Sequence, residues 1–191
     1  MEGNPLFPVF LKIDQLSVLV VGGGEIALEK LEALIKNDPK ANVTLISPVI
    51  DSEVKEFTAS YSSVKILEKE FDQIDYSLFN IMIGATGDRN INIQLRDKAK
   101  QYNLLVNIAD MPDLCDFYLG STVKKGDLKI GISTNGKSPI LARRMREVLE
   151  DILPDNTQSI IDNLKSIRDS LTGSFKEKLK TLDKITENLI K

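Results

Sequence analysis

Residues 18–21, Val-Leu-Val-Val, contain no polar position and run directly into Gly22, Gly23 and Gly24. A strand without polar alternation is one covered on both faces, which predicts a central parallel strand. Past the glycines the period lengthens. Ala27, Leu31, Leu34 and Ile35 recur at helical spacing while Glu29, Lys30 and Glu32 face away, so a helix should cover the sheet until Asn37-Asp38-Pro39 stops it. The alternation then repeats. Residues 43–47 read as a second strand, 51–60 as a helix and 64–67 as a third strand; 80–85 is another buried strand. A helix follows with Ile91, Leu95, Ala99 and Tyr102 on one face, then a strand over 104–108. Strands alternating with helices imply right-handed crossovers and an α/β, Rossmann-like, doubly wound parallel sheet. The apolar, proline-broken lead-in over 6–13 reads as an edge segment laid against this domain.

After residue 110 the pattern changes. Residues 117–124 and 128–134 flank Lys125-Gly126-Asp127 as an antiparallel hairpin. Ser138-Pro139 supplies a helix N-cap and a first-turn proline, with Leu141, Met145, Val148 and Ile152 along one side of the helix. From Pro154 onward, Ile160, Leu164, Ile167 and Leu171 mark one amphipathic helix and Phe175, Leu179, Leu182 and Leu189 another, separated by Gly173. The expected organisation is a dinucleotide domain over 1–112, a hairpin and helix region over 113–153 and a helical module over 154–191.

Charge and composition narrow the function classes. The 191 residues carry 25 basic and 28 acidic side chains, net −3, with no basic tail, which argues against a general nucleic-acid or membrane-surface binder. No basic leader precedes a long apolar run and no stretch approaches membrane-spanning length, so a cytoplasmic protein is expected. The lone Cys115 permits no internal disulfide and reads as a small buried hydrophobe. The chain contains no histidine, so acid–base work must fall to carboxylates, lysines or tyrosines, and no metal site is expected.

Gly22, Gly24 and Ala27 occupy the three special places of G-x-G-x-x-G/A: a tight turn, a close approach of backbone to pyrophosphate, and close packing of helix on strand. The helix beginning at Glu25-Ile26 opens with unpaired N–H groups and positive dipole charge, which suits an anion. With Gly23 these residues form the expected cofactor site. The second strand closes with Ser47-Pro48-Val49 rather than the usual carboxylate, Asp51 lying a turn later, and no basic side chain is placed to receive a 2′-phosphate; NAD is the expected cofactor.

Taken together, Pro8-Val-Phe-Leu-Lys-Ile, Val20-Val-Gly-Gly-Gly-Glu-Ile-Ala, Gly84-Ala-Thr-Gly-Asp, Val106-Asn-Ile-Ala-Asp110 and Ile132-Ser-Thr-Asn-Gly-Lys-Ser-Pro139 with Leu141-Ala-Arg143 resemble the precorrin-2 dehydrogenase family, the siroheme synthase N-terminal domain, without a methyltransferase domain. The resemblance implies a Rossmann domain, a dimerisation and substrate region with exchanged elements, and a helical C-terminal region. It also implies NAD-dependent oxidation of precorrin-2 to sirohydrochlorin, a homodimer and, in some members, insertion of ferrous iron.

The same resemblance places Thr86 beside the cofactor, where a hydroxyl capping the helix begun near Asp88 is the alternative. It aligns Asp110 with the family's essential aspartate, a base for the proton lost on oxidation; the other reading is a turn residue capping Met111-Pro112. It puts the loop Ser133, Thr134, Asn135, Gly136, Lys137, Ser138 at the substrate cleft, though Ser138 capping alone would account for the helix start. Arg143, Arg144, Arg146, Lys124, Lys125 and Lys137 are the basic side chains available to substrate carboxylates, or are solvated surface charges. Asp113 and Asp116 read as solvated loop residues without a role. Two further functions compete with the simple dehydrogenase: a bifunctional enzyme in which Asp110 also takes pyrrole protons as iron enters, and a non-enzymatic NAD-sensing module, which leaves Asp110 and the loop of 133–139 unexplained.

Overall fold

The computed structural model describes residues 3–187 and divides into two compact units, one of residues 7–119 and one of residues 3–6 with 120–187. In the first, β1 (Ser17–Val21), β2 (Asn42–Ile46), β3 (Val64–Leu67), β4 (Ile81–Gly84) and β5 (Leu105–Ile108) form a wholly parallel sheet in the order β3-β2-β1-β4-β5. The apolar run of β1 places it at the centre. Its alternate side chains serve opposite faces: Val18 and Val20 pack with Ala27, Leu31 and Leu34 of α1 (Glu25–Asn37), and Leu19 and Val21 with Leu95 and Ala99 of α3 (Arg89–Tyr102). Helix α2 (Ser52–Ala59) adds Val54 to the α1 side.

The lead-in does not form an edge strand. The sheet edges are β3 and β5, and residues 7–12 have no regular structure; Phe7 and Phe10 are 86% and 70% exposed. Pro5 and Pro8 interrupt the N–H donors that a strand would need, and only Ile13 reaches the core, its carbonyl accepting from the Asn42 N–H.

In the second unit, β6 (Ser121–Lys125) and β7 (Leu128–Ile132) pair antiparallel across Gly126-Asp127, a hairpin shorter at both outer ends than the pattern suggested. The turn fastens to α5 (Thr157–Ser170), where the Asp127 N–H donates to Gln158 Oε1 at 2.7 Å. Helix α4 (Pro139–Ile152) packs on the hairpin through the buried Ala142. A flanking stripe of Leu141, Met145, Val148 and Ile152, about a quarter turn round the helix from Ala142, stays open to solvent. Helix α6 (Phe175–Thr186) begins with a capping box between Ser174 and Glu177. Leu189, the last position of its apolar stripe, lies outside the described residues. Among the described residues, no helix is long and apolar enough to cross a membrane.

Candidate active site

The turn from β1 into α1 is shaped by steric exclusion. Gly22 has φ +131°, its N–H donates to the Ile46 carbonyl, and a Cβ there would lie 2.3 Å from the Ala85 carbonyl oxygen. A Cβ on Gly23 would meet the Val49 carbonyl oxygen at 2.1 Å, and the Gly23 carbonyl accepts from the Asp51 N–H. Both glycines are therefore consumed in bringing the ends of β1, β2 and β4 together. Gly24 differs. It is extended, it is the N-cap of α1 without a side-chain cap, and a Cβ there would come near only the Asp51 carboxylate, at 3.5 Å. Its missing side chain leaves open space in front of the unpaired N–H groups of the first helical turn, where an anionic group fits.

That space is a cleft of about 540 Å3, lined by Gly22, Gly23, Gly24, Glu25, Ile26, Ser47, Pro48, Val49 and Thr86, so all nine expected cofactor positions come together. Asp51, Glu70, Phe71 and Ile91 also line it, and no lysine or arginine does. In the sequence Glu70 and Phe71 carry no signal beyond their place just past the carboxyl end of β3, where ligands of such sheets gather. Ser47 is buried, its hydroxyl donating to the Val49 carbonyl at 2.7 Å, so it shapes the turn after β2.

Thr86 is not the helix cap. Asp88 caps α3, its carboxylate accepting from the N–H groups of Asn90 and Ile91 at 2.7 and 3.1 Å, while the Thr86 hydroxyl donates to Asn92 Oδ1 at 2.8 Å. Asn92, a polar residue 1% exposed on the inner face of α3, also donates weakly to Met111 Sδ at 3.8 Å. It thus touches the loop after β4 and the loop after β5 at once.

Asp110 stands two residues beyond β5, on the carboxyl edge of the same sheet. Its backbone is left-handed, φ +59°, in a turn closed by the Met111 N–H on the Ile108 carbonyl. Its carboxylate does not cap Pro112–Leu114, and among the described residues it has no hydrogen bond or ion pair. An aspartate in this conformation, where glycine would be relaxed, costs on the order of 1 kcal/mol and leaves an exposed, unpartnered acid.

The loop carrying Asp110 is held from behind by residues the sequence had left without a role. Asp116 is not a solvated loop residue. Its carboxylate accepts from Arg96 Nη1 at 2.6 Å and from the Val106 N–H at 3.1 Å, and its own N–H donates to the Val106 carbonyl at 2.7 Å. The Arg96 guanidinium holds the Asp116 carboxyl below the usual carboxylate range, with the Val106 N–H helping. Asp113 has only an exposed 3.9 Å pair with Arg89. Because the folded-state pKa of Asp116 is lowered, its stabilisation is complete above the unfolded value near ~4 and is lost as pH falls through the folded one. Asp116→Asn should therefore cost about 1 kcal/mol between pH 5 and 7, a difference that shrinks towards zero under stronger acid, as urea melts across that range will show.

The remaining expected residues belong to the second unit. The Ser133 hydroxyl accepts from the Asn135 N–H and from Asn4 Nδ2. That of Thr134 donates to the Ser138 carbonyl and accepts from the Ser138 N–H, both at 3.1 Å. Ser138 caps α4 by accepting from the Leu141 N–H. Asn135 and Gly136 are left-handed, φ +54° and +72°, and the side chains of Asn135 and Lys137 carry no bond within the described residues. Arg143 and Arg144 pair with Glu147 on the exposed side of α4, Arg146 lies 3.9 Å from Glu150, and Lys125 pairs with Asp155.

Residues 9–121 match a family model described as "Putative NAD(P)-binding", and residues 125–152 match one described as "Sirohaem biosynthesis protein central". The siroheme synthase of Psychrobacter arcticus is 34% identical over 176 residues and that of Methylococcus capsulatus 32% over 170, matches covering 92% and 89% of this chain but 31% and 35% of those proteins. The chain therefore spans about a third of the length of these curated relatives. A solved structure named SirC, precorrin-2 dehydrogenase, superposes with a TM-score of 0.72 at 25% identity, covering 96% of this chain and 90% of that one.

Proposed function

Because the chain belongs to this NAD(P)-binding family, we propose that it oxidises precorrin-2 to sirohydrochlorin with NAD, Asp110 taking the accompanying proton. The observation that carries the reading is the presence, on the carboxyl edge of one sheet, of a glycine cleft at the end of β1 and, two strands away past β5, of a left-handed Asp110 whose carboxylate has no partner among the described residues. The substrate is taken from the similar solved structure, whose name is precorrin-2 dehydrogenase.

In this reading the first turn of α1 receives the pyrophosphate in the space left by Gly24, and Ile26, Val49 and Phe71 offer apolar surface to the rest of the dinucleotide. Asp51 and Glu70 line the cleft where a second phosphate would meet two carboxylates, which favours NAD over NADP. When bound, the nicotinamide supplies the two-electron acceptor. Conversion of precorrin-2 to sirohydrochlorin removes two electrons and one proton to the acceptor and a second proton to the protein; Asp110, whose carboxylate has no partner among the described residues, accepts that second proton. Asn135, Lys137 and Arg143 are the donors we assign to substrate carboxylates, with Ser133, Thr134 and Ser138 shaping their loop. The open stripe of Leu141, Met145, Val148 and Ile152 on α4 is the surface we assign to a homodimer contact.

Anaerobic incubation with precorrin-2 tests the reaction. One NADH should form for each sirohydrochlorin, with NADP at least tenfold less effective. Ferrous iron, a substrate here, is added only in a second stage; sirohaem formed there assigns iron insertion to this chain as well. A protein that binds NAD yet leaves precorrin-2 unchanged would sink the dehydrogenase reading in favour of a dinucleotide sensor.

A further inference from the structure

Cys115 was expected to be a mere small hydrophobe, but its sulfur is the point on which the Asp110 loop folds. Sγ lies 3.1 Å from the Ile108 N–H nitrogen, which donates to it, and 3.2 and 3.3 Å from the carbonyl oxygens of Ile108 and Met111, either of which can accept its proton. Those partners are the residues on either side of the turn that carries Asp110. One residue further on, the Asp116–Arg96 pair fixes the loop's far end to β5. The thiol is half-buried, burial pushes its pKa up, and it therefore remains a protonated donor at neutral pH.

From this geometry we infer that Cys115 is a positioning residue for Asp110: its thiol clamps Ile108 to Met111 and so holds the left-handed turn that presents the carboxylate. The inference rests on the proposed function, in which Asp110 is the base. A backbone turn with one strained residue has relaxed alternatives close by, and a displacement of about 1 Å of a catalytic group is enough to cost on the order of 100-fold in rate. Serine keeps a donor and an acceptor at the same place with a shorter reach, whereas alanine keeps neither.

The test compares Cys115→Ala, Cys115→Ser, Asp110→Asn and the double variant Cys115→Ala/Asp110→Asn. The readouts are NADH formation from precorrin-2 and backbone hydrogen exchange in the peptide covering 108–116. Cys115→Ala should lower kcat at least tenfold with KM for NAD unchanged and should speed exchange in that peptide while β1 and β4 stay protected. Cys115→Ser should recover much of the rate. On the Asp110→Asn background the cysteine change should cost nothing further, because there is no base left to misplace. A wild-type kcat in Cys115→Ala overturns the inference, and so does an equal loss on both backgrounds, which would mean that the sulfur acts independently of Asp110. If Asp110→Asn itself turns over at the wild-type rate, the proposed base falls first, and the clamp is then judged by exchange alone: uptake over 108–116 that Cys115→Ala leaves unchanged overturns it too.

Discussion

Asp110→Asn should bind NAD as the wild type does and form NADH from precorrin-2 between 100-fold and 10,000-fold more slowly. The range is that of a positioned general base, and the variant isolates it because asparagine is nearly isosteric and tolerates left-handed φ at least as well as aspartate. The turn closed by Met111 on Ile108 should survive, so the thermal midpoint should move by less than a degree or two. Titration with NAD and a steady-state assay at saturating cofactor separate the two effects. Normal turnover by Asp110→Asn removes the carboxylate from the chemistry, and a large fall in NAD affinity would make it part of the cofactor site instead.

The largest stability effect should come from Gly22→Ala. Its Cβ would sit 2.3 Å from the Ala85 carbonyl oxygen on a backbone with φ +131°, where backbone strain of about 1–2 kcal/mol adds to overpacking of about 1–3 kcal/mol. The sum, about 2–5 kcal/mol, should lower the thermal midpoint by roughly 10 °C for a chain of this size. Gly24→Ala is the informative companion. Its φ of −104° suits any residue and its Cβ meets only a carboxylate at van der Waals distance, so the fold should be nearly indifferent to it. The cost should appear in NAD binding, because the methyl group occupies the approach to the first turn of α1. Calorimetry on the two variants, with and without NAD, distinguishes a glycine needed by the protein from one needed by its ligand. Equal losses of stability would show that this division is mistaken.

The sheet could be read from the chain because period carries it. The unbroken apolar run of β1, the helical recurrence of Ala27, Leu31, Leu34 and Ile35 and the strand of 64–67 all express burial on a definite face, which a single sequence records directly. The glycine cleft could be read for the same reason, since its glycines lie at a junction between two periods. Asp116, Cys115 and Asn92 could not. Their partners are backbone groups, the Arg96 guanidinium, the Thr86 hydroxyl and a thioether, reached across a turn or between elements, and such bonds leave no recurrence along the chain; aspartate, cysteine and asparagine at those places look the same whether solvated, inert or holding a loop. Glu70 and Phe71 were obscured by their distance in sequence from the glycines, although β3 ends beside the same edge. The lead-in failed in the opposite way: Phe7, Val9 and Phe10 have the composition of a packed segment, yet the sheet already has two edges and the prolines keep these residues off both. In α4 the amphipathic period marks a helix face, but period alone does not say whether a face meets its own chain.

One feature of β5 reaches beyond positioning. As an outer strand it should present a row of free N–H and C=O groups on which another strand could add. Instead the outward groups of Val106 are taken by the backbone and carboxylate of Asp116, and those of Ile108 by Cys115 and the Met111 N–H. The loop that displays Asp110 is thus also a terminator of sheet growth, and the same few bonds that aim a carboxylate keep this edge from serving as a template for aggregation.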